Sequence, residues 1–489
     1  MKAVLLIVSV VALHATGYSQ TGLLELNDVI RLAVTHSPGY NLIKTAQEIS
    51  YYRFLTYKSE YSPQISLYGN IPDFDKEFYG VRQPNGTIKF LPINQNSSNV
   101  GVSLTQPVLF TGGELSLHTN LSRFDDFTSK AKQYSGTPTY LHLSQPLFGY
   151  NNLKWQKRIE PLKFEEAKYE YAQQIETIAW QAVKYYFDVL DAQMNIAIAS
   201  SNQKSSKINL EIEKKRLDLG TTTEDKLLQL ELQFLRNTQE IEKYNYQYQV
   251  AQLNLKTFLG VADSTNLSLA LPDKILYFTI DLPGGLALAK KYQPTLASIV
   301  RKATEAQRDL AQAKADKHQI QLSASYGLNN VGNKITEIYN NAYSQQRFSI
   351  GFNIPLVDWG RRKARYNMAK AAEKLNASNS NFEKSNFILE ISTLIGNFNL
   401  LQNNIFLARK TDSVADKRYN IAYNLYKSGS LTITDLSFAQ AEKDNSKRNY
   451  LSALRQYWDA YYLLRRLTLY DFEKDESLFT KNTFGILHD

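Results

Sequence analysis

The sequence of 489 residues contains no cysteine. That removes disulfides, thiolate zinc sites and catalytic thiols, and also the cysteine a lipid-anchored exported protein carries at its cut site. Histidine is scarce: His14, His36, His118, His142, His318 and His488 are all there are, and no pair has a metal-ligand spacing such as H-x-x-x-H. No G-x-S-x-G, H-E-x-x-H, Walker loop or paired glycine fingerprint occurs, so nothing marks an enzyme and no cofactor is expected. Past the N-terminus no stretch of about 18 residues is purely apolar, which excludes a membrane-spanning helix. It leaves open a β-barrel, whose short strands merely alternate. The net charge is +9, but acidic and basic residues are interspersed as on solvated helix faces, so no nucleic-acid partner is expected.

What is present begins with an export signal. Lys2 gives the positive start, Ala3 to Leu13 the apolar stretch, and Gly17-Tyr18-Ser19 the small residues before a cut at Gln20. A buried N-terminal helix is the competing reading of residues 1–19. Aromatic residues are plentiful, with 32 Tyr and 23 Phe, which suits interfacial girdles as well as an ordinary core.

The chain repeats itself. Leu32-Ala33-Val34-Thr35-His36-Ser37-Pro38 resembles Leu288-Ala289-Lys290-Lys291-Tyr292-Gln293-Pro294. Gln145-Pro146-Leu147-Phe148-Gly149-Tyr150 resembles Ile354-Pro355-Leu356-Val357-Asp358-Trp359, and Leu219-Gly220-Thr221 resembles Ser428-Gly429-Ser430. From Pro146 to Gly220 and from Pro355 to Gly429 the interval is the same, 74 residues. An interval kept over that length implies one object built twice: a first repeat over 20–283 and a second over 284–489. Between the Leu-Ala and Gln-Pro landmarks the first copy is longer by 47 residues, an insertion lying within about 71–137.

Between these landmarks the pattern is helical. Leu153 to Leu219 holds no glycine and a single proline, Pro161. Phe387, Ile391, Leu394, Phe398, Leu401, Ile405 and Ala408 recur at three and four, the seam of a coiled coil. A second seam runs through Leu228, Leu232, Leu235, Ile241, Tyr248 and Leu255. Long helices over 152–219 and 360–428 would each extend on the order of 100 Å. The returns are split: 222–259 with 284–316 in the first repeat, and 431–468 with 26–60 in the second, a pairing that requires those last two to stack end to end. Helices of this length need each other or further subunits to bury their seams. Alternating strands are expected at 64–69, 100–105, 140–144, 319–326 and 348–354; alternation fits one face to lipid and one to a lumen, or equally a soluble antiparallel sheet. The export signal favours the barrel. Tyr150 and Trp359, just past strands, sit where an interfacial aromatic belt would lie. Lys154, Lys157 and Arg158, like Arg361, Arg362, Lys363 and Arg365, follow and fit either headgroups or a solvated helix face. Gly112-Gly113 is a turn signal within the insertion. The insertion is either a surface loop or an added hairpin, and the hairpin would give six strands in place of four.

Taken together, the repeated Leu-Ala-x-x-x-x-Pro openings, the strand-to-helix turns at Gln145 to Phe148 and Ile354 to Gly360, and the paired glycine turns resemble the TolC-like outer-membrane efflux proteins, in a Bacteroidetes-type branch, over nearly all of 24–472. The resemblance implies a homotrimeric channel-tunnel that joins a membrane β-barrel to a long α-helical coiled-coil barrel in the periplasm. It implies a passive conduit for efflux or type I secretion, working with a periplasmic adaptor and an inner-membrane pump of RND or ABC type. Arg216, Gly220, Thr221, Tyr426, Gly429 and Ser430 match the periplasmic tip that meets the adaptor. Asp435 matches an acidic position that narrows the tunnel; pairing with a helix N-terminus is its other role, and the two are compatible. A soluble periplasmic coiled-coil scaffold is the rival, and it leaves the alternating strands without a purpose.

Overall fold

The computed structural model describes residues 23–479 except 148, 263–266, 273, 274, 276, 317, 318, 341, 354 and 355. The signal segment with its cut before Gln20, and Phe148, Ile354 and Pro355 of the strand-to-helix turns, lie outside the described residues. The rest fall into two compact units: one takes 23–45, 171–292 and 389–479, the other 46–170 and 293–388. No helix among the described residues is long and apolar enough to cross a membrane.

In chain order the elements are α1 (Leu26–His36), α2 (Pro38–Ser59), β1 (Gln64–Asn70), β2 (Phe74–Arg82), β3 (Ile88–Val108), β4 (Gly113–Asp126) and β5 (Ala131–Leu147). There follow α3 (Asn152–Asp218), α4 (Glu224–Leu259), α5 (Leu282–Lys291), α6 (Pro294–Ala315), β6 (Gln319–Gly332), α7 (Ile335–Tyr339) and β7 (Tyr343–Asn353). The chain ends with α8 (Arg361–Lys427), α9 (Ile433–Thr468) and the small pair β8 (Tyr470–Asp471) and β9 (Glu476–Ser477). The stretches 26–60 and 284–316, expected as single helices, are each broken before a proline. Pro38 and Pro294 open α2 and α6, and Ser37 ahead of one is extended (ψ 152). A proline lacks the N–H and crowds the residue before it out of the helical region, so the repeated Leu-Ala-x-x-x-x-Pro motif is a helix break.

In the first unit α1 packs on α4 and α5 on α9. A Cβ on Gly260, which ends α4 at φ +71, would stand 2.9 Å from Pro38 at the start of α2. The expected pairing of return helices is therefore exchanged: 222–259 meets the N-terminal pair, and 431–468 meets α5. The cause is the segment between α4 and α5, which crosses to α8 before α5 begins. There Asn399 and Gln402 accept from the amides of Ile280 and Phe278 at 3.1 Å, and their own amides donate back to the same residues' carbonyls. Tyr186, Phe187, Phe398, Tyr457 and Tyr461 are among the largest fully buried side chains of this core. The guanidinium of Arg465 bridges Glu176 (2.9 Å) and Asp471 (2.8 Å), which also accepts from the Tyr461 hydroxyl at 2.6 Å. A buried pair of this kind is costly to break because the remaining charge loses its partner.

The seam on α8 from Ile391 to Ile405 is buried as its spacing requires. The seam expected on α4 is fully buried only at Leu255: Leu228, Leu232 and Leu235 are exposed, Ile241 and Tyr248 half-buried, and the buried stripe runs through Leu230, Asn237, Gln252 and Leu255. The helix thus carries two stripes, one used within the chain and one unpartnered.

The second unit holds one antiparallel sheet in the order β1-β3-β4-β5-β6-β7, with β2 paired to the far part of β3. Gln64 to Asn70 pair with Thr105 to Asn99, and Phe74 to Arg82 with Asn96 to Ile88. The register slips by one residue at Ile71-Pro72-Asp73, opposite Ser97-Ser98. β1 and β2 are therefore one long strand with a bulge where proline has no N–H to give the ladder. The sheet has six strand positions. The insertion supplies the β3–β4 pair, whose turn is tied to the start of α3 by the Asn151 amide, donating to Leu109 O at 2.9 Å and Phe110 O at 3.3 Å. Past Asn94, β2 and β3 continue alone as a two-stranded ribbon.

Candidate conduit: the two-faced sheet and the helix-turn tip

The register assigns every strand residue to one of two faces. One face carries Ile65, Leu67, Val100, Val102, Leu104, Leu115, Leu117 and Leu121, then Leu141, Leu143, Ile320, Leu322, Phe348, Ile350 and Phe352 across the next strands. The other carries Ser66, Ser103, Ser116, His118, Asn120, His142, Ser144, Gln321, Ser323, Ser325 and Ser349. Hydrogen bonds run across this second face, such as Gln321 Nε2 to Ser144 Oγ at 2.7 Å and His118 Nε2 with Ser116 Oγ at 2.8 Å. From Leu115 to Leu121 the apolar stretch is roughly 20 Å long along the strand at ~3.4 Å per residue, or about 16 Å high at a tilt of ~40°, within the ~25 Å of a lipid-facing band. Apolar residues this exposed over so wide a face require a covering medium.

At the helix-proximal end the two repeats make the same kind of junction. Asn151 Oδ1 accepts from Lys154 N at 3.0 Å and caps α3. Asp358 caps α8, accepting from Gly360 N (3.1 Å), Arg362 N (3.0 Å) and Arg362 Nε (2.6 Å). Arg362 and these backbone donors hold the Asp358 carboxyl below the usual carboxylate range. Trp359 stands between Asp358 and Gly360 with 96% of its surface exposed, whereas Tyr150 is half-buried and its hydroxyl meets Asn152 Oδ1 at 3.3 Å. Phe110 and Leu356, also near this end, are as exposed as Trp359.

The tip residues lie in the first unit. Both turns end their helix alike: Thr221 N reaches Arg216 O (2.9 Å) and Gly220 N reaches Leu217 O (2.8 Å), while Ser430 N reaches Leu425 O (2.9 Å) and Gly429 N reaches Tyr426 O (3.0 Å). Each glycine takes the left-handed conformation this double bond pattern needs, at φ +70 and +80. Arg216 joins the two turns, its Nη2 donating to Tyr426 O at 2.9 Å with the guanidinium 5.0 Å from the Tyr426 ring centre. The Tyr426 hydroxyl donates to Glu213 Oε2 at 3.0 Å, and Arg216 Nη1 does so at 3.2 Å; Thr222 Oγ1 donates to Glu213 Oε1 at 2.5 Å. Glu213 is 3% exposed. Burial opposes its charge, yet Thr222, Tyr426 and Arg216 together bring its carboxyl below the usual range; burial and the same carboxylate push the Tyr426 hydroxyl well up. Leu230, Tyr419, Tyr426, Ile433 and Leu436 pack around this cluster.

Glu213 is the residue that the tip motifs did not single out. Its signal was present: with Leu210 and Leu217 it shares a three-and-four stripe, and a carboxylate on a buried stripe demands partners. Asp435 is exposed in the first turn of α9, its N donating to the capping Thr432 Oγ1 (3.2 Å) and its Oδ2 accepting from that hydroxyl (2.6 Å). The Tyr426 hydroxyl, committed to Glu213, is not spent on Asp435.

A profile of the family described as "Outer membrane efflux protein" matches residues 92–261 and 287–468. No curated protein matches the chain in sequence. Among solved structures, the chain is similar to the CmeC outer membrane channel of Campylobacter jejuni at 15% identity, covering 92% of this chain and 87% of that one with a TM-score of 0.66. It is similar to the outer membrane protein VceC of Vibrio cholerae at 15% identity, covering 91% and 95% with a TM-score of 0.62. For the open state of the MtrE outer membrane channel of Neisseria gonorrhoeae the values are 13% identity, 91% and 88%, and 0.62. At such identities the likeness speaks for the fold, while the profile, matching each repeat in turn, assigns the chain to the outer membrane efflux protein family.

Proposed function

We propose that this outer-membrane efflux channel works as a homotrimer whose subunits each add six strands to one shared barrel, above a coiled-coil tunnel opened at its tip by a periplasmic adaptor. The observation that carries this is the two-faced sheet with both edges, β1 and β7, free. β1 runs away from the helices and β7 towards them, so β7 of one copy and β1 of the next are antiparallel and can pair, which removes both free edges of the sheet below the β2–β3 ribbon. The unpartnered stripe of Leu228, Leu232 and Leu235 offers the helices a matching contact. Eighteen strands ~4.8 Å apart and tilted ~40° give a diameter of about 36 Å, against about 24 Å for twelve. The barrel then restricts cargo little, and the tip becomes the narrow point.

In this reading the pair of turns at Gly220, Thr221, Gly429 and Ser430 receives the adaptor, which links the channel to an inner-membrane pump of RND or ABC type. Three copies of Asp435 form an acidic ring that favours cations. Tyr150 and Trp359 mark the periplasmic membrane interface, with Trp359 the better exposed. Planar-bilayer recording of the purified protein tests the proposal. A cross-linked mass of three chains together with discrete conductance steps is expected; a detergent-stable monomer without conductance overturns it.

A further inference from the structure

We propose that the apolar face of the sheet carries, just beyond its band, a binding site for the phosphorylated headgroup of an outer-leaflet glycolipid. This rests on reading the sheet as a membrane-crossing barrel wall. A cleft of about 680 Å³ opens on that face, within the size range of ligand pockets. Its floor is Val100 and Leu121, the last apolar rung, so an acyl chain lying on the band runs into it without crossing polar surface.

The walls are fixed. Pro72, Phe74 and Phe127 line one side, with the Phe74 and Phe127 ring centres 6.0 Å apart. Ile335 of α7 lines the other. That short helix is seated on two glycines: a Cβ at Gly136 would stand 2.8 Å from Ile338, and one at Gly332 would stand 2.4 Å from the Glu337 carboxylate. Asn330 Nδ2 further ties α7 down by donating to Asn340 O at 2.9 Å.

Polar groups take over where the apolar floor stops. Ser98 pairs with Arg123 on the next rung and Asn96 with Asp125 on the one after. Arg123 holds Asp125 at 2.8 Å, which keeps its guanidinium in place. Lys132, opposite Asp125, lies 5.6 Å from the Tyr134 ring centre, and Lys76, opposite Asn94, is exposed on the same face. Three cations, Arg123, Lys132 and Lys76, stand against two carboxylates, Asp125 and the Glu337 of α7 that accepts from Asn333 N at 2.8 Å, which leaves the rim above the apolar floor net positive. Arginine and lysine in such a setting recognise phosphate by charge-assisted hydrogen bonds.

Native mass spectrometry of the full-length trimer, delipidated in detergent, provides the test. The probes are phosphorylated lipid A, its dephosphorylated form and phosphatidylglycerol. Wild type should retain up to three lipid A molecules per trimer and bind the other two probes at least tenfold more weakly. Arg123→Glu with Lys132→Glu should lose about tenfold, and Ser98→Trp, which fills the cleft while leaving every charge in place, should lose as much. Unchanged retention in both variants, or equal binding of phosphatidylglycerol, overturns the proposal. Bilayer conductance of the same samples separates the two levels. Conducting trimers with unchanged lipid A retention sink the site alone, whereas wild type that never enters a bilayer sinks the membrane reading and the site with it.

Discussion

Removing the Glu213 carboxylate is the perturbation from which the tip account expects most. In Glu213→Ala the buried Tyr426 hydroxyl and Thr222 hydroxyl each lose an acceptor, and Arg216 keeps only Tyr426 O. Hydrogen bonds to a charged group contribute about 1.5–3 kcal/mol each, and the desolvation cost of the carboxylate offsets part of their sum. A net local loss of about 2–3 kcal/mol follows, or roughly thirty- to 150-fold more frequent opening of the two turns. Hydrogen exchange of peptides covering 210–224 and 420–434 reads this directly, with peptides around Phe398 and Tyr461 as internal controls. The same measurement has a pH signature. The folded carboxyl titrates below its unfolded value, so the stabilisation is complete above the ordinary carboxylate pKa of ~4.3 and is lost as pH falls through the lower, folded value. Protection of the tip should therefore be level from pH 8 to about 5 and decline below about 4. An exchange rate in Glu213→Ala within threefold of wild type would refute the reasoning.

The other substitutions separate backbone from side-chain effects. Gly429→Val places a β-branched residue at φ +80 and should cost about 1–2 kcal/mol in tip protection, whereas Gly396→Ala, inside α8 with open space around it, should stabilise by about 0.5–1 kcal/mol in thermal unfolding. Asp435→Ala removes a carboxylate from the first turn of α9 and the acceptor of the Thr432 hydroxyl, and should cost about 0.5–1 kcal/mol there; cation preference in bilayer reversal potentials should fall as well. Glu176→Ala leaves Arg465 with Asp471 alone and should lower unfolding stability by about 3 kcal/mol in a denaturant titration.

Much of the helical architecture was legible because helix periodicity and glycine stops are local signals. The α8 seam and the glycines at 220 and 429 needed nothing beyond spacing and the left-handed requirement of a helix end. The exchange of return helices was not legible, since it depends on Asn399 and Gln402 gripping a segment more than a hundred residues away, and amide side chains on a helix look solvated in sequence. The exposed α4 stripe was misread for a related reason. Leu228, Leu232 and Leu235 obey coiled-coil spacing as well as any buried set, and spacing cannot say whether the partner is the same chain. The bulge at Ile71-Pro72-Asp73 was not legible before the pairing of β1 and β2 with β3 is known, and neither was the length of β3, because Asn94 to Asn99 are six polar residues in a row that become strand only through their neighbours. Glu213 shows the opposite case, a buried carboxylate whose helical position alone pointed to partners.

The central claim is that three copies pair β1 to β7 around one pore. Because the chain has no cysteine, engineered pairs can be read without background. Ser66→Cys on β1 can be combined in turn with Gln345→Cys, Arg347→Cys, Ser349→Cys or Gly351→Cys on the matching face of β7, and oxidised in intact outer membranes. The account predicts that one register yields a covalent trimer on denaturing gels, lost on reduction, while neither single cysteine does. Failure of every register to join chains, in protein that fractionates with the outer membrane, would contradict it.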